Sequence, residues 1–289
     1  MFAVTGITGK VGGAVARNLL AQGHSVRAVV RNVTKANSWA AQGCEIAVAS
    51  VEDAASLTKA FRGTEGVFLM TPPDFDPEPG FPRTHEAAAA IKRAIEATRP
   101  GRVAFLSTVG AHVAEPNLLN NSKITEEMLR TTSVPVVLLR AAWFMENAEW
   151  DVDAARSGAI PSFLQPLDHS IPMIATADIA QMATDLLNQT WTGVRIVELE
   201  GPRRYSANDI AAGFGAALGQ PVRTESVPRN TWETLFRSQG MKNPTPRIRM
   251  IDGFNEGWID FEGSEANSFR GNTPLEAVLR SLVTSSNNY

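Results

Sequence analysis

One cysteine in 289 residues, Cys44, leaves the chain without a partner for an internal disulfide. Histidine is nearly as scarce. His24, His85, His112 and His169 are scattered, and no His or Cys pair has the short spacing that zinc sites use, so no metal is expected. No apolar run reaches the roughly 18 residues of a membrane-spanning helix, and the start of the chain lacks the basic and apolar regions of a secretory signal. The expectation is therefore no membrane association, with the cytoplasm as default compartment. Neither sign of charge dominates: 27 Lys plus Arg against 30 Asp plus Glu leave a net charge of -3. Without a basic block, nucleic-acid binding through the chain's own charge is not expected.

What is present is enough apolar material, 44% of residues, to bury a sizeable core. Residues 2–5 read as a short strand, and Val11, Val15 and Leu19 then fall on one helical face before Gly23. Valine-rich 25–31 is the next strand, and 45–48, 66–70, 102–106 and 136–140 are four more. Helical spacing over 54–62, 83–98 and 124–131 fills the intervals, as in a parallel sheet covered on both faces. The fold class is α/β, a doubly wound parallel sheet. After residue 150 the pattern loosens. Thr176 is positioned to cap a helix bearing Ile179, Ala183, Leu186 and Leu187, and 194–199 reads as a strand extending the sheet. A helical stretch over 206–218, a turn at 243–246 and a last amphipathic stretch from Pro274 suggest a smaller, mostly helical C-terminal lobe. The division expected is 1–155 as the sheet domain, with 175–200 returning to it, and 156–174 plus 201–289 as the lobe.

Gly6, Gly9 and Gly12 recur every third residue where the first helix begins. Glycine costs a helix roughly 1 kcal/mol against alanine, so the cluster needs another reason. In a first βα turn, glycine gives the tight bend, the close approach of backbone to a pyrophosphate and the close packing of helix on strand, while the helix N-terminus offers free N–H groups. The spacing is GxxGxxG rather than GxGxxG. Its position after the first strand of an alternating βα series supports a dinucleotide; glycine kept only for helix–sheet packing is the alternative.

NAD sites usually place Asp or Glu about 20 residues beyond the glycine turn, on the ribose 2′-hydroxyl. Here Arg31 ends the second strand, followed by Asn32 and Lys35. A cationic fork without a neighbouring carboxylate suits a 2′-phosphate, so NADP (NADPH) is the expected cofactor, unless Arg31 is only a solvated strand-end charge.

Together, 5-TGITGKVGG-13, 26-VRAVVRN-32, 69-LMTPP-73, 136-VVLLRAAWFMEN-147 and 174-IATADIA-180 resemble the NmrA-like branch of the atypical short-chain dehydrogenases, over about the first two thirds of the chain. The resemblance implies an NADP-binding Rossmann domain with a small C-terminal lobe. Some members of that family are NADPH-dependent quinone or dye reductases, and others are dinucleotide-sensing regulators. It further implies that Gly6, Thr8, Gly9, Val11 and Gly12 line the pyrophosphate, that Arg31, Asn32 and Lys35 meet the adenosine phosphate, and that Thr71, Pro72 and Pro73 border the adenosine and central ribose. Pro72-Pro73 also reads as a rigid loop start.

The chain departs from the ordinary short-chain dehydrogenase at the catalytic end. That class carries Tyr-x-x-x-Lys, yet the only tyrosines here are Tyr205 and Tyr289, neither in the right region. Ser107 and Thr108 follow the fifth strand, where a hydroxyl would polarise a carbonyl or bond the nicotinamide ribose; a plain polar strand end is the alternative. Lys123 matches the family lysine that reaches the nicotinamide ribose, although a one-residue slip would put Ser122 there and an unaided reading makes Lys123 a surface residue. His112 is a further candidate proton source, because histidine titrates near neutral pH; a lone loop histidine without a role is the alternative.

After the sixth strand, Trp143, Phe144 and Asn147 stand where the family builds its substrate pocket, with Phe163 and Trp258 as further wall. Flat aromatic walls and one amide suit a planar, weakly polar acceptor such as a quinone; a core cluster beneath the lobe is the alternative. Two functions follow: hydride transfer from NADPH to a quinone-like or other planar acceptor, or a non-catalytic NADP(H)-sensing regulator, for which the missing tyrosine is the best sign. A homodimer stays open.

Overall fold

The computed structural model describes residues 1–32, 34 and 36–286. Strands and helices alternate from the start: β1 (Phe2–Val4), α1 (Lys10–Ala21), β2 (Val26–Val30), α2 (Asn37–Ala40), β3 (Glu45–Val48), α3 (Ala54–Phe61), β4 (Gly66–Leu69), α4 (Pro82–Thr98), β5 (Val103–Thr108), α5 (Asn120–Leu129) and β6 (Val136–Ala141). A two-residue strand β7 (Trp143–Phe144) leads into a 3-10 turn over Met145–Asp151, then α6 (Val152–Arg156), β8 (Ala159–Ser162), β9 (Met173–Ile174), α7 (Thr176–Leu187) and β10 (Val194–Glu200). The chain ends with α8 (Ala207–Leu218), β11 (Arg223–Ser226), α9 (Trp232–Ser238), α10 (Thr245–Glu256), β12 (Ser268–Arg270) and α11 (Leu275–Ser285).

Eight strands form one sheet in the order β12-β10-β6-β5-β4-β1-β2-β3, all paired in parallel. Alternate residues of each strand serve opposite faces. Phe2, Val4, Ala104 and Leu106 pack in one cluster with Val11, Val15 and Leu19 of α1 and Ile179 of α7. Ala3, Val103 and Phe105 pack on the other side with Leu57 of α3, Ile91 of α4 and Leu129 of α5. Strands β4 and β6 are consequently buried throughout, which is why they read as apolar runs, broken in β6 by Arg140.

Strand order reverses between β1 and β4, and such a switch point opens a crevice at the strands' C-terminal ends. Thr5 pins it. Its hydroxyl accepts from Met70 N (2.8 Å) and donates to Met70 O (3.0 Å), while Thr5 N donates to Phe68 O.

The remaining apolar residues build a second core from α6, α8, α11 and the 3-10 turn, and a smaller one around Trp232 and Phe236. Four details differ from the sequence reading. β12 joins the main sheet beside β10, inside the stretch expected for the lobe. β8 and β11 pair with each other in parallel, apart from that sheet. The expected turn at 243–246 runs into α10, because Pro246 occupies its first turn, where no N–H is needed. Thr176 is the first residue of α7 and not its cap; the carboxylate of Glu146 accepts from Thr176 N (3.0 Å) and from its hydroxyl (2.6 Å). Among the described residues no helix is long and apolar enough to cross a membrane.

Candidate functional site

The glycine turn lies at the switch point, between β1 and α1. Gly6 adopts φ +62°, a left-handed conformation open to glycine, and Gly9 N donates to Gly6 O (2.9 Å). At Gly12 a Cβ would sit 2.6 Å from the Gly6 carbonyl carbon and 2.9 Å from Thr5 O, so only glycine lets α1 pack this close to the turn. Gly9 is different. It is exposed, and a Cβ there would meet only Gly6 O, at 3.3 Å. Gly12 thus serves packing, while Gly9 and Thr8 form the open surface of the turn.

No described side chain caps the N-terminus of α1, and its first turn holds no acidic residue. The first N–H groups of a helix have no partner within it, so this end presents donors and a partial positive charge to the crevice. The N-terminus of α7 nearby is already filled by Glu146. At the end of β2, Arg31 is exposed and makes no hydrogen bond or ion pair with any described residue. The Asn32 side-chain oxygen is taken up by Thr34, through its backbone N (3.0 Å) and hydroxyl (2.8 Å). Lys35 lies outside the described residues. These features fit a phosphorylated dinucleotide: uncapped donors for the pyrophosphate and a free guanidinium for a second phosphate.

In front of the turn runs a groove of about 160 Å³, lined by Lys10, Val11, Met70, Phe144, Asn147 and Trp150 among others. Of these the sequence reading named Val11, Phe144 and Asn147. The Asn147 side chain is exposed and bonds to no described residue. Trp150 is 72% exposed, a large apolar surface at the rim. Trp143 and Phe144 point apart, as successive strand residues do. Phe144 packs toward the sheet and groove, whereas Trp143 packs in the lobe core, edge-on to Phe254 of α10 with ring centres 5.2 Å apart. Phe163 belongs to a separate aromatic cluster with Trp232 and Phe236. Trp258 packs in the Trp143 core, under the Arg249 guanidinium. Thr71, Pro72 and Pro73 run along the loop after β4, with both prolines exposed. That loop is tied to the lobe by Asp76, which accepts from the backbone N of Lys242 and Asn243 (2.9 and 2.7 Å), so the cleft is bridged there.

Ser107 and Thr108 also face opposite ways. Ser107 is 4% exposed and donates to Glu126 (2.5 Å); its proton is committed to a buried ion cluster and not to a ligand. At the centre of that cluster, Arg140 meets Glu126 through two bonds of 2.9 and 2.8 Å and Glu262 at 2.9 Å, with Glu198 at 3.7 Å. Burial works against the charge on Arg140, yet Glu126 and Glu262 hold its pKa above the ordinary arginine range. Arg140 in turn holds the Glu262 carboxyl below the usual carboxylate range. Thr108 is half-buried, and its hydroxyl bonds to no described residue. Lys123 donates to Val113 O (2.8 Å) in the loop after β5. His112 is exposed, its Nδ1 3.9 Å from Glu262.

A parallel sheet reversing at β1/β4, with a glycine turn and an uncapped helix end at the reversal, defines a dinucleotide-binding protein of the Rossmann class. The model of the NmrA-like family matches residues 1–262, and the chain belongs to that family. It is 26% identical over 247 residues to quinone oxidoreductase 2 of Escherichia coli, covering 83% of this chain and 82% of that protein. The crystal structure of that enzyme, described as an NADPH-dependent quinone oxidoreductase, superposes with a TM-score of 0.79 at 25% identity, over 98% of this chain and 99% of the other. An NAD(P)H azoreductase of Xenophilus azovorans is 26% identical over 260 residues, 89% of this chain and 85% of that protein. In fold the chain also matches Citrobacter sp. triphenylmethane reductase, with a TM-score of 0.80 at 22% identity over 98% and 99% of the two chains.

Proposed function

We propose that this protein is an NADPH-dependent reductase that delivers hydride to a planar acceptor of the quinone or dye type. The observation that carries the reading is the uncapped N-terminus of α1 opening onto a groove whose far wall is Phe144 and Asn147, with the free cation Arg31 at the adenosine end. Relatives named as quinone and azo reductases support it. Residues that would hold the cofactor are Gly6, Thr8, Gly9 and Val11 at the pyrophosphate, with Gly12 letting α1 pack close beneath them, Arg31 with Asn32 and Lys35 at the 2′-phosphate, and Thr71, Pro72 and Pro73 along the adenosine side. NADPH, when bound, supplies the hydride. The chain's part is then to orient and to exclude water, which asks for few catalytic groups. Phe144 stacks against a flat ring, the Asn147 amide donates to one acceptor oxygen, and Trp143 backs the wall from the lobe side. Thr108 has the free hydroxyl to bond the acceptor or the nicotinamide ribose, Lys123 would reach that ribose on leaving the Val113 carbonyl, and the one proton needed besides the hydride comes from solvent.

One observation favours a second reading, a non-catalytic NADP(H) sensor. The position four residues before Lys123 is Leu119, not tyrosine, and Ser107 is bound to Glu126. The experiment that separates the two follows NADPH absorbance with quinones, azo dyes and triphenylmethane dyes. Sustained turnover, impaired in Asn147→Ala at unchanged NADPH affinity, is expected for the reductase; tight NADPH binding without turnover on any acceptor would favour the sensor.

A further inference from the structure

Trp150 is 72% exposed at the rim of the groove, and its indole makes no aromatic contact or hydrogen bond with any described residue. Phe144 lines the same groove, so two aromatic side chains border one space in front of the glycine turn. The charges that border it are unbalanced: the carboxylates of Glu146 and Glu149 against the single ammonium of Lys10. Glu146 is occupied, accepting from Thr176 N and from the Thr176 hydroxyl at the start of α7. Among the described residues Glu149 is held only by Lys10, at 2.6 Å. Lys10 is also the first residue of α1, at the helix end that would carry the pyrophosphate. A bound cofactor would therefore draw the ammonium away and leave the Glu149 carboxylate without its counter-charge, one residue from Trp150.

An anionic edge beside an exposed indole attracts a positive charge spread over a flat ring, since the face of an aromatic ring is negative and tryptophan holds cations best. Such a ligand also suits the proton inventory of the groove. The one hydroxyl bordering it among the described residues, that of Thr176, donates to Glu146 (2.6 Å) and has no proton to give an acceptor. A planar cation needs none: hydride adds with its electron pair to an electron-poor ring carbon, the nicotinamide takes over the positive charge, and the product leaves neutral. A quinone reduced by hydride still has a proton to find. We propose that Trp150 and Glu149 select a cationic planar acceptor, Trp150 through the face of its indole and Glu149 through the carboxylate that cofactor binding releases from Lys10. The inference rests on the reductase reading of the site and adds the charge of its substrate and the two residues that sense it.

The test uses flat two-ring probes of matched size at pH 8: 1-methylquinolinium, 4-methylquinoline, which is uncharged there, and quinoline-4-carboxylate. Calorimetry measures their binding to protein saturated with 1,4,5,6-tetrahydro-NADP, whose ring is uncharged and gives no hydride, and to the protein without cofactor. The cation is expected to bind the loaded protein at least about fivefold tighter than 4-methylquinoline, with the carboxylate weakest. Glu149→Gln should bring that ratio within about twofold, and Trp150→Leu should weaken the cation by more than it weakens the uncharged probe. Omitting the cofactor should shrink the ratio, because Lys10 then holds Glu149. Both side chains are exposed, and melting curves check that the variants fold; should Trp150→Leu fail to, Trp150→Phe takes its place with the same order of effects, reduced in size. A carboxylate that binds as tightly as the cation, or a ratio unchanged in either folded variant or on loading the cofactor, would overturn the proposal. Turnover of neutral quinones by a protein that does not favour the cation would overturn this inference alone. A cation-selective groove with no turnover of any acceptor would count against the reductase reading alone.

Discussion

Lys10 and Glu149 form an ion pair of 2.6 Å that joins the first residue of α1 to the 3-10 turn across the groove. Lys10 stands at the helix end where a pyrophosphate would sit, so Glu149 competes with the cofactor for the ammonium and repels the phosphate. Both side chains are about half exposed, and pairs of that kind contribute roughly 0.2–1 kcal/mol. Glu149→Gln is therefore expected to tighten NADPH binding by about two- to fivefold, and Lys10→Met to weaken it by a similar factor. Calorimetry at low salt and at about 0.5 M salt checks this, since screening should shrink both effects. Glu149→Gln binding NADPH more weakly than the parent would refute the competition.

Arg31 supplies the second prediction. Because its guanidinium has no partner among the described residues, a 2′-phosphate would meet it without displacing a carboxylate. NADPH should bind at least about tenfold tighter than NADH, and Arg31→Asp should abolish or reverse that preference by adding repulsion. Equal affinity of the unmutated protein for the two dinucleotides would remove Arg31 from the site.

The two glycines of the turn should separate by experiment. At Gly12 an added Cβ collides with backbone atoms of Thr5 and Gly6 that cannot move apart without opening the turn, whereas at Gly9 it meets one carbonyl at 3.3 Å. Gly12→Ala should lose about 1–3 kcal/mol of stability together with cofactor binding. Gly9→Ala should melt within a few degrees of the parent and still bind NADPH more weakly, because its methyl group enters the space above the helix end. Melting curves with and without NADPH measure both; a Gly12→Ala protein of unchanged stability would contradict the packing argument.

The parts of this structure legible in the sequence are those that local pattern controls. Strands β4, β5 and β6 are buried on both faces and so run mostly apolar, and α1 and α7 carry a repeating apolar face because each covers one side of the sheet. Several short elements beyond the first βα series were not legible. β7, β9 and β12 have two or three residues each and exist because a partner strand is beside them, which no local spacing reports. The start of α5 was placed late because Asn120, Asn121, Ser122 and Lys123 are polar and carry no apolar period. Of the proposed site, the glycine turn and Arg31 are the parts a sequence alone can suggest, because the chemistry proposed for them lies in the backbone or in one charge. Lys10, Met70, Glu149 and Trp150 were missed, since only the approach of the 3-10 turn to α1 brings them to the groove. One signal went unused: Arg140 and Glu198 interrupt otherwise apolar strands, and a charge in a buried strand implies a counter-charge. Which residue supplies it, Glu126 from α5, depends on how helix and sheet pack.

Asp151 gives the last prediction, which concerns stability and is independent of the cofactor. It ends the 3-10 turn between Ala148 and Val152, both packed in the lobe core, and it bonds to no described residue. Burial raises its pKa from 3.8 to about 6. Between those values the folded protein keeps a proton that the unfolded chain releases, so stability falls as pH rises through the window, and the whole loss is present above the folded pKa. A shift of about two units sets a ceiling near 3 kcal/mol, and partial solvent access brings the expected figure to about 1–2 kcal/mol. Asp151→Asn keeps the shape and cannot ionise. It should be more stable than the parent by that amount at pH 7.5, with the difference shrinking steadily toward pH 4. Urea denaturation at intervals across that range reads it directly, and a difference that stays constant with pH would mean that Asp151 is solvated in the folded protein.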